Sequence, residues 1–213
     1  MDNILYTSQK KYLEKFLRND DPLITEMEIF ANKNKIPILK KDSAKFLEVI
    51  TLIQKPKFVL ELGTAIAYSS IRIARNLGKK SLVYTIEKSK DNIALAKENI
   101  KKSKLENKIK LIFGNAVEVM PKLDQKFDLI FLDADKLDYK KLFDLSLPLL
   151  RKRGVIFVDN LLWHGFAASS NVPKQQKTST KIIREFNEMF TSQQNLKTTI
   201  LPIGDGIGLG IKI

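Results

Sequence analysis

Val59-Leu60-Glu61-Leu62-Gly63-Thr64-Ala65-Ile66-Ala67-Tyr68-Ser69-Ser70 decides how this chain is read. The apolar run from Phe58 to Leu62 stops at Gly63 and gives way to small residues. Ile71, Ile73, Ala74 and Leu77 then recur at helical spacing. Strand, tight turn and helix in that order open an α/β nucleotide-binding sheet. Small residues in the turn let a ligand approach the backbone, and the helix start behind them offers free N–H groups to an anion. A glycine after a buried strand is also the ordinary way to turn into a helix. The stretch therefore gains meaning only from residues placed at fixed spacings later in the chain.

Downstream, strands are expected at about 81–86, 108–113, 127–132 and 154–158, joining the first at 57–62. Helices are expected at about 68–77, 89–102, 115–122, 137–150 and 178–193. Continuous apolar strands alternating with helices predict a parallel sheet covered on both faces. Leu196–Ile203 and Gly206–Ile213, joined by Gly204-Asp205, read as a closing antiparallel hairpin. The expected fold is thus α/β, a Rossmann-like, doubly wound, mostly parallel sheet of seven strands. The long connection at about 159–177 reads as a mobile or functional loop.

Upstream lies a helical lead-in. Residues 4–18 carry Leu5, Tyr6, Tyr12, Leu13, Phe16 and Leu17 at helical spacing. Asp20-Asp21-Pro22 breaks that pattern and starts a second helix running to about Lys35. Ile36-Pro37-Ile38 is a short extended link, and Asp42 or Ser43 is the expected cap of a third helix ending near Gln54. Residues 1–55 join the 56–213 core too closely to form a separate domain, so one domain is expected over 1–213.

Composition removes whole classes of chemistry. The chain has no cysteine and a single histidine, His164. Disulfides, thiolate nucleophiles and multi-histidine zinc sites are excluded, and any metal must be a hard cation held by oxygen. No apolar run approaches the ~20 residues of a membrane span. The first residues lack a signal-peptide core, so a cytoplasmic protein is expected. The net charge of +13 fits a polyanionic partner such as RNA. It fits equally a lysine-rich composition with only six arginines.

Polar residues gather at the C-terminal ends of the strands, where open α/β sheets bind ligands. Glu87 ends strand two, some twenty residues after the glycine turn, and suits both ribose hydroxyls. Strand three ends in Phe113-Gly114-Asn115-Ala116, where Asn115 and nearby backbone amides are candidates to reach a base edge, although Asn after Gly is also plain turn chemistry. Strand four ends in Leu132-Asp133-Ala134-Asp135-Lys136, and strand five in Val158-Asp159-Asn160. Asp133, Asp159 and Asn160 make two carboxylates and an amide oxygen on neighbouring strand ends, a set suited to a hard divalent ion.

Together, Glu61-Leu62-Gly63-Thr64, Glu87, Leu132–Lys136 with Tyr139, and Val158-Asp159-Asn160 resemble the metal-dependent, S-adenosylmethionine-using O-methyltransferases of the catechol and caffeoyl-CoA type. The resemblance covers nearly the whole chain. Within that family it looks most like the bacterial branch containing tRNA 5-hydroxyuridine methyltransferase. It implies S-adenosyl-L-methionine and Mg2+ as cofactors. It places Glu61, Gly63 and Ser69 around the methionine part, Glu87 on the ribose, Gly114, Asn115 and Ala116 at the adenine, and Ile38 over the cofactor. It gives Asp133 to both cofactor and metal, completes the metal set with Asp159 and Asn160, and makes Lys136 the general base. Ala67 stands where the family usually has a second glycine, which implies a narrower approach to the cofactor.

The resemblance leaves the substrate between a 5-hydroxyuridine in a tRNA anticodon loop and a small catechol-like phenol, since both present adjacent oxygens. Charge favours tRNA. Lys10, Lys11, Lys174, Lys177, Lys181 and Arg184 are the candidate phosphate contacts. Trp163, Phe166 and Tyr139 are the candidate stacking residues, with 165–177 as a lid. A non-catalytic RNA- or nucleotide-binding module on the same fold is the alternative of a different class. A homodimer is expected from the family, with the first helix as a candidate interface.

Overall fold

A computed structural model describes residues 6–17 and 21–213. Helix α1 spans Thr7–Glu14, α2 Pro22–Asn34 and α3 Lys41–Gln54. The remaining elements are β1 Phe58–Leu62, α4 Tyr68–Arg75, β2 Leu82–Glu87, α5 Lys90–Ser103, β3 Ile109–Phe113, α6 Ala116–Val119 and β4 Phe127–Leu132. They continue through α7 Tyr139–Leu149, β5 Leu150–Val158, α8 Lys177–Thr191, β6 Leu196–Leu201 and β7 Ile207–Lys212.

The seven strands form one sheet in the order β3-β2-β1-β4-β5-β7-β6. The first five are parallel; β7 runs antiparallel to β5, and β6 antiparallel to β7. Alternation along each strand sends residues to opposite faces. Val59, Leu129, Phe131 and Phe157 join Met27, Leu47, Ile71 and Ala96 on one face. Leu60, Leu62, Ile130, Leu132 and Ile156 join Leu142, Phe143, Ile183 and Phe190 on the other. The expected doubly wound α/β fold is therefore present. Strand order reverses between β1 and β4, the place where such sheets bind ligands.

Several boundaries differ from those read in the sequence. Asp21 caps α2 as expected, accepting the N–H groups of Leu23 and Ile24 at 2.9 and 3.3 Å. Helix α3 instead begins after Lys40, with no side-chain cap. Asp42 lies inside the first turn and accepts the Gly204 N–H at 3.0 Å, tying the lead-in to the β6–β7 connection. Strand β5 starts at Leu150 rather than near 154, because Leu150 pairs with Phe127 of β4 ahead of a break in register; Arg151 meets Asp128 there at 2.9 Å. The hairpin connection runs from 202 to 206, wider than Gly204-Asp205 alone. Pro202 cannot donate to a ladder, and Gly204 and Gly206 take left-handed φ of 61° and 87°. Residues 4, 5 and 18 of the first expected helix, and Asp20, lie outside the described residues. The described part of α1 buries none of its side chains. Among the described residues, no helix is long and apolar enough to cross a membrane.

Candidate active site

The residues at the C-terminal ends of the parallel strands form a hydrogen-bonded row along one sheet edge. Gly114 N–H donates to Glu87 O at 2.9 Å, Gly63 N–H to Ile86 O at 3.1 Å, Asp133 N–H to Leu62 O at 3.0 Å, and Asp159 N–H to Leu132 O at 3.1 Å. A cavity of about 560 Å³ opens above this row. Gly63–Ala65, Tyr68 and Ser69 line it after β1, Glu87 after β2, and Gly114–Ala116 after β3. Asp133–Lys136 line it after β4, and Asp159, Asn160, Trp163 and His164 after β5. Pro37–Leu39 of the lead-in close one side, so Ile38 lines the cavity.

Gly63 is required by contact: a Cβ there would overlap the carbonyl oxygen of Asp133. Its φ of 100° also suits only glycine. Ala67 corrects one expectation. It takes a left-handed φ of 66°, the conformation that favours glycine. Its methyl, however, is buried among the core residues of the sheet face, and it does not line the cavity. It therefore does not narrow the approach to a cofactor.

Glu61 lies behind the wall rather than in it. Its Oε2 accepts the Ser70 hydroxyl and the Thr85 hydroxyl, the latter at 2.6 Å. Its Oε1 is buried without a hydrogen-bond partner. Burial pushes its pKa up to about 7, with the Ser69, Ser70 and Thr85 hydroxyls pulling it down. Glu87 is fixed from both sides, accepting Ala65 N–H at 2.9 Å and Ser89 N–H at 2.8 Å. Those bonds brace the glycine turn and leave each carboxylate oxygen one further lone pair. Asn115 caps α6, taking Val117 N–H at 3.0 Å on its Oδ1, so the turn chemistry read in the sequence is realised there.

Tyr68, which sequence reasoning did not single out, ties the cavity wall to the lead-in. Its hydroxyl donates to Glu28 at 2.7 Å and accepts from Arg72 at 2.9 Å. Arg72 in turn meets Glu48 at 2.8 Å, and Glu28 meets Lys41 at 2.7 Å. Burial and the Glu28 carboxylate push the Tyr68 pKa well up.

The Lys136 ammonium is enclosed by oxygens. It lies 2.6 Å from Tyr139 OH, 2.7 Å from Asn160 Oδ1, 3.1 Å from Ala134 O and 3.4 Å from Asp133 Oδ1. Tyr139 is fully buried and donates to Asp159 O at 3.1 Å, so it is not available to stack on a base. Asp159 Oδ1 is buried without a partner. Burial, and then the Asp133 carboxylate, push the Asp159 pKa up to about 7. Among the described residues, no three His, Cys, Asp or Glu side chains form a metal-binding group. The oxygen set is two carboxylates completed by an amide. Converging oxygens, one of them buried and unpaired, fit a hard divalent ion.

Two of the candidate phosphate contacts also have partners within the chain. The Arg184 guanidinium is spent on the carbonyls of Phe166, Ala167 and Ser169 at 3.1, 3.0 and 2.5 Å. It anchors the 165–171 segment. Lys181 pairs with Glu185 at 3.7 Å, and Glu188 stands in the same surface hollow.

A model of the O-methyltransferase family matches residues 15–213. The chain belongs to the O-methyltransferase family. A catechol O-methyltransferase of Niastella koreensis is 30% identical to this family member, the match covering 99% of each chain. The solved structure of a candidate caffeoyl-CoA O-methyltransferase from Staphylococcus aureus superposes with a TM-score of 0.90 at 32% identity, covering 96% of this chain and 99% of that one. An O-methyltransferase from Bacillus cereus, solved in complex with SAH, superposes with a TM-score of 0.84 at 27% identity and 98% coverage of both chains.

Proposed function

We propose that this family member transfers a methyl group from S-adenosylmethionine to one of two adjacent oxygens of a catechol-like acceptor. The observation that carries this reading is the meeting of Lys136 Nζ with Asn160 Oδ1 at 2.7 Å and Asp133 Oδ1 at 3.4 Å, next to the unpaired Asp159 oxygen. Binding alone needs no lysine among metal-type ligands, which argues against a non-catalytic module. The full-length match to a catechol O-methyltransferase supports the acceptor class.

In this reading Gly63 and Ser69 border the methionine part, Glu87 takes the ribose hydroxyls, and Gly114–Ala116 border the base. Asp133, Asp159 and Asn160 hold the divalent ion. When bound, the cofactor supplies an electrophilic methyl and the ion acidifies the acceptor hydroxyl. Lys136 takes the hydroxyl proton at Nζ. Tyr139 and Asn160 hold that nitrogen in place, and the strand-end row fixes the approach of the two reactants. Trp163 and His164 form the outer wall on the acceptor side.

The net charge of +13 favours a second reading, a 5-hydroxyuridine in a tRNA anticodon loop. Lys174 and Lys177 beside the 165–171 segment are its candidate phosphate contacts. A homodimer remains part of the proposal through family likeness alone.

One experiment separates these readings. Methyl-labelled S-adenosylmethionine is offered with Mg2+ to a catechol panel and to tRNA carrying 5-hydroxyuridine, each with and without chelator. Chelator-sensitive labelling of a catechol supports the first reading, and labelling of tRNA alone replaces it with the second. Cofactor binding with no acceptor labelled sinks methyl transfer.

A further inference from the structure

Gly204-Asp205-Gly206 looks in the sequence like a turn and nothing more. In the fold this turn reaches back to the loop after β5. Asp205 is only 3% exposed, unusual for an acid in a hairpin connection. Its Oδ1 accepts the His164 N–H at 2.7 Å. Its Oδ2 lies 3.4 Å from Asn160 Nδ2 and 3.4 Å from His164 Nδ1. The main chain grips the same loop: Asp205 O accepts Leu162 N–H at 2.8 Å, and Gly206 O accepts Leu161 N–H at 2.9 Å.

We propose that Asp205 is a positioning residue. It fixes the Asn160 amide with its oxygen toward Lys136 and holds the left-handed turn that carries Trp163 and His164. The inference rests on the metal reading given under the proposed function. A carboxylate only accepts hydrogen bonds, so the amide must turn its NH2 toward Asp205. Asn160 Oδ1 then points the other way, where Lys136 Nζ donates to it at 2.7 Å. A reversed amide would set its NH2 against the lysine ammonium and its oxygen against the Asp205 carboxylate. Both contacts would be repulsive, so Asp205 selects one orientation. Asn160, Trp163 and His164 have φ of 64°, 47° and 56°, conformations that non-glycine residues hold only with outside support. Asp205 supplies part of that support through His164 N–H.

The test is a double-mutant cycle with Asp205→Asn and Asn160→Ala, read by direct Mn2+ titration of the full chain without acceptor. Melting temperature and S-adenosylmethionine affinity are followed beside it. D205N should weaken Mn2+ binding by about 10- to 100-fold. It should leave cofactor affinity within about twofold, and in the N160A background it should change Mn2+ affinity by less than about twofold. Wild-type Mn2+ affinity in D205N overturns the inference. So does an equal loss in both backgrounds, which would make Asp205 a general brace of the loop. A wild-type chain that takes up no Mn2+ instead brings down the metal reading beneath it. If D205N alone unfolds, the exchange variant N160D/D205N carries the test, because an amide at 205 can donate to a carboxylate at 160. A folded exchange variant within about tenfold of wild-type Mn2+ affinity supports the inference, and an unfolded or metal-free one overturns it.

Discussion

The ammonium of Lys136 lies 2.7 Å from the amide oxygen of Asn160, in the middle of the oxygens that are proposed to hold a metal ion. On the proposed reading, lysine and ion compete for the same acceptors. Lys136→Ala should lower kcat by about 10²- to 10⁴-fold, the usual loss for a general base. The same change should leave Mn2+ affinity equal or tighter, because a competing cation is gone. Steady-state kinetics and Mn2+ titration read the two effects separately. An unchanged kcat would remove the base assignment.

Glu61 gives the pH dependence of stability a definite sign. Its folded pKa of about 7 lies above its ordinary 4.5, so the folded state keeps a proton that the unfolded state has lost between those values. The contribution is fully present below about pH 4.5 and is lost as pH rises through about 7, amounting to at most roughly 3 kcal/mol. Glu61→Gln cannot titrate. Melting curves without ligand should show the wild type losing stability relative to E61Q between about pH 5 and pH 8. A constant difference across that range would show Glu61 ionised throughout.

Two small-residue positions in one turn should respond to very different extents. Gly63→Ala pushes a methyl into the Asp133 carbonyl and should cost more than about 3 kcal/mol, or abolish soluble expression. Ala67→Gly relieves a left-handed φ while removing a buried methyl, so its melting temperature should move by only a few degrees. Its cofactor affinity, measured by calorimetry, should stay within about twofold, since the Ala67 side chain does not face the cavity. A large gain in affinity would return Ala67 to the cavity wall.

Arg184→Ala frees three carbonyls of the 165–171 segment. Limited proteolysis should then cut within that segment faster than in the wild type, and activity should fall for every acceptor. Lys174→Ala with Lys177→Ala should lower activity only toward tRNA, and with a shallower salt dependence. Equal losses on catechol and tRNA would remove these lysines from phosphate contact.

The strand-end residues were legible because parallel strands deliver their C-terminal ends to one edge in chain order. Glu87, Asp133 and Asp159 could be placed from apolar runs alone. What could not be read depended on side-chain direction or on distant chain. Ala67 carries a left-handed backbone that turns its methyl into the core. Arg184 was available as a cation in the sequence, but the fold gives it three carbonyls. Tyr139 is enclosed under Lys136 rather than offered to a base. Asp205 was invisible because its partners, Asn160 and His164, lie more than forty residues earlier and meet it only when the hairpin folds beside β5. Two glycines flanking a buried acid were the only trace.

Asp133 N–H bonds to Leu62 O at 3.0 Å, and Gly63 leaves no room for a side chain between them. The small-residue turn and the oxygen set are therefore spaced by strand register, with Leu62 opposite Leu132. Main chain sets that span, and no exchange of side chains can lengthen or shorten it. On the proposed reading, donor and acceptor inherit their separation from the sheet itself. Diversification of such a protein is thus confined to the rim: which molecules enter and how they are held can change, while the reach of the transfer stays constant.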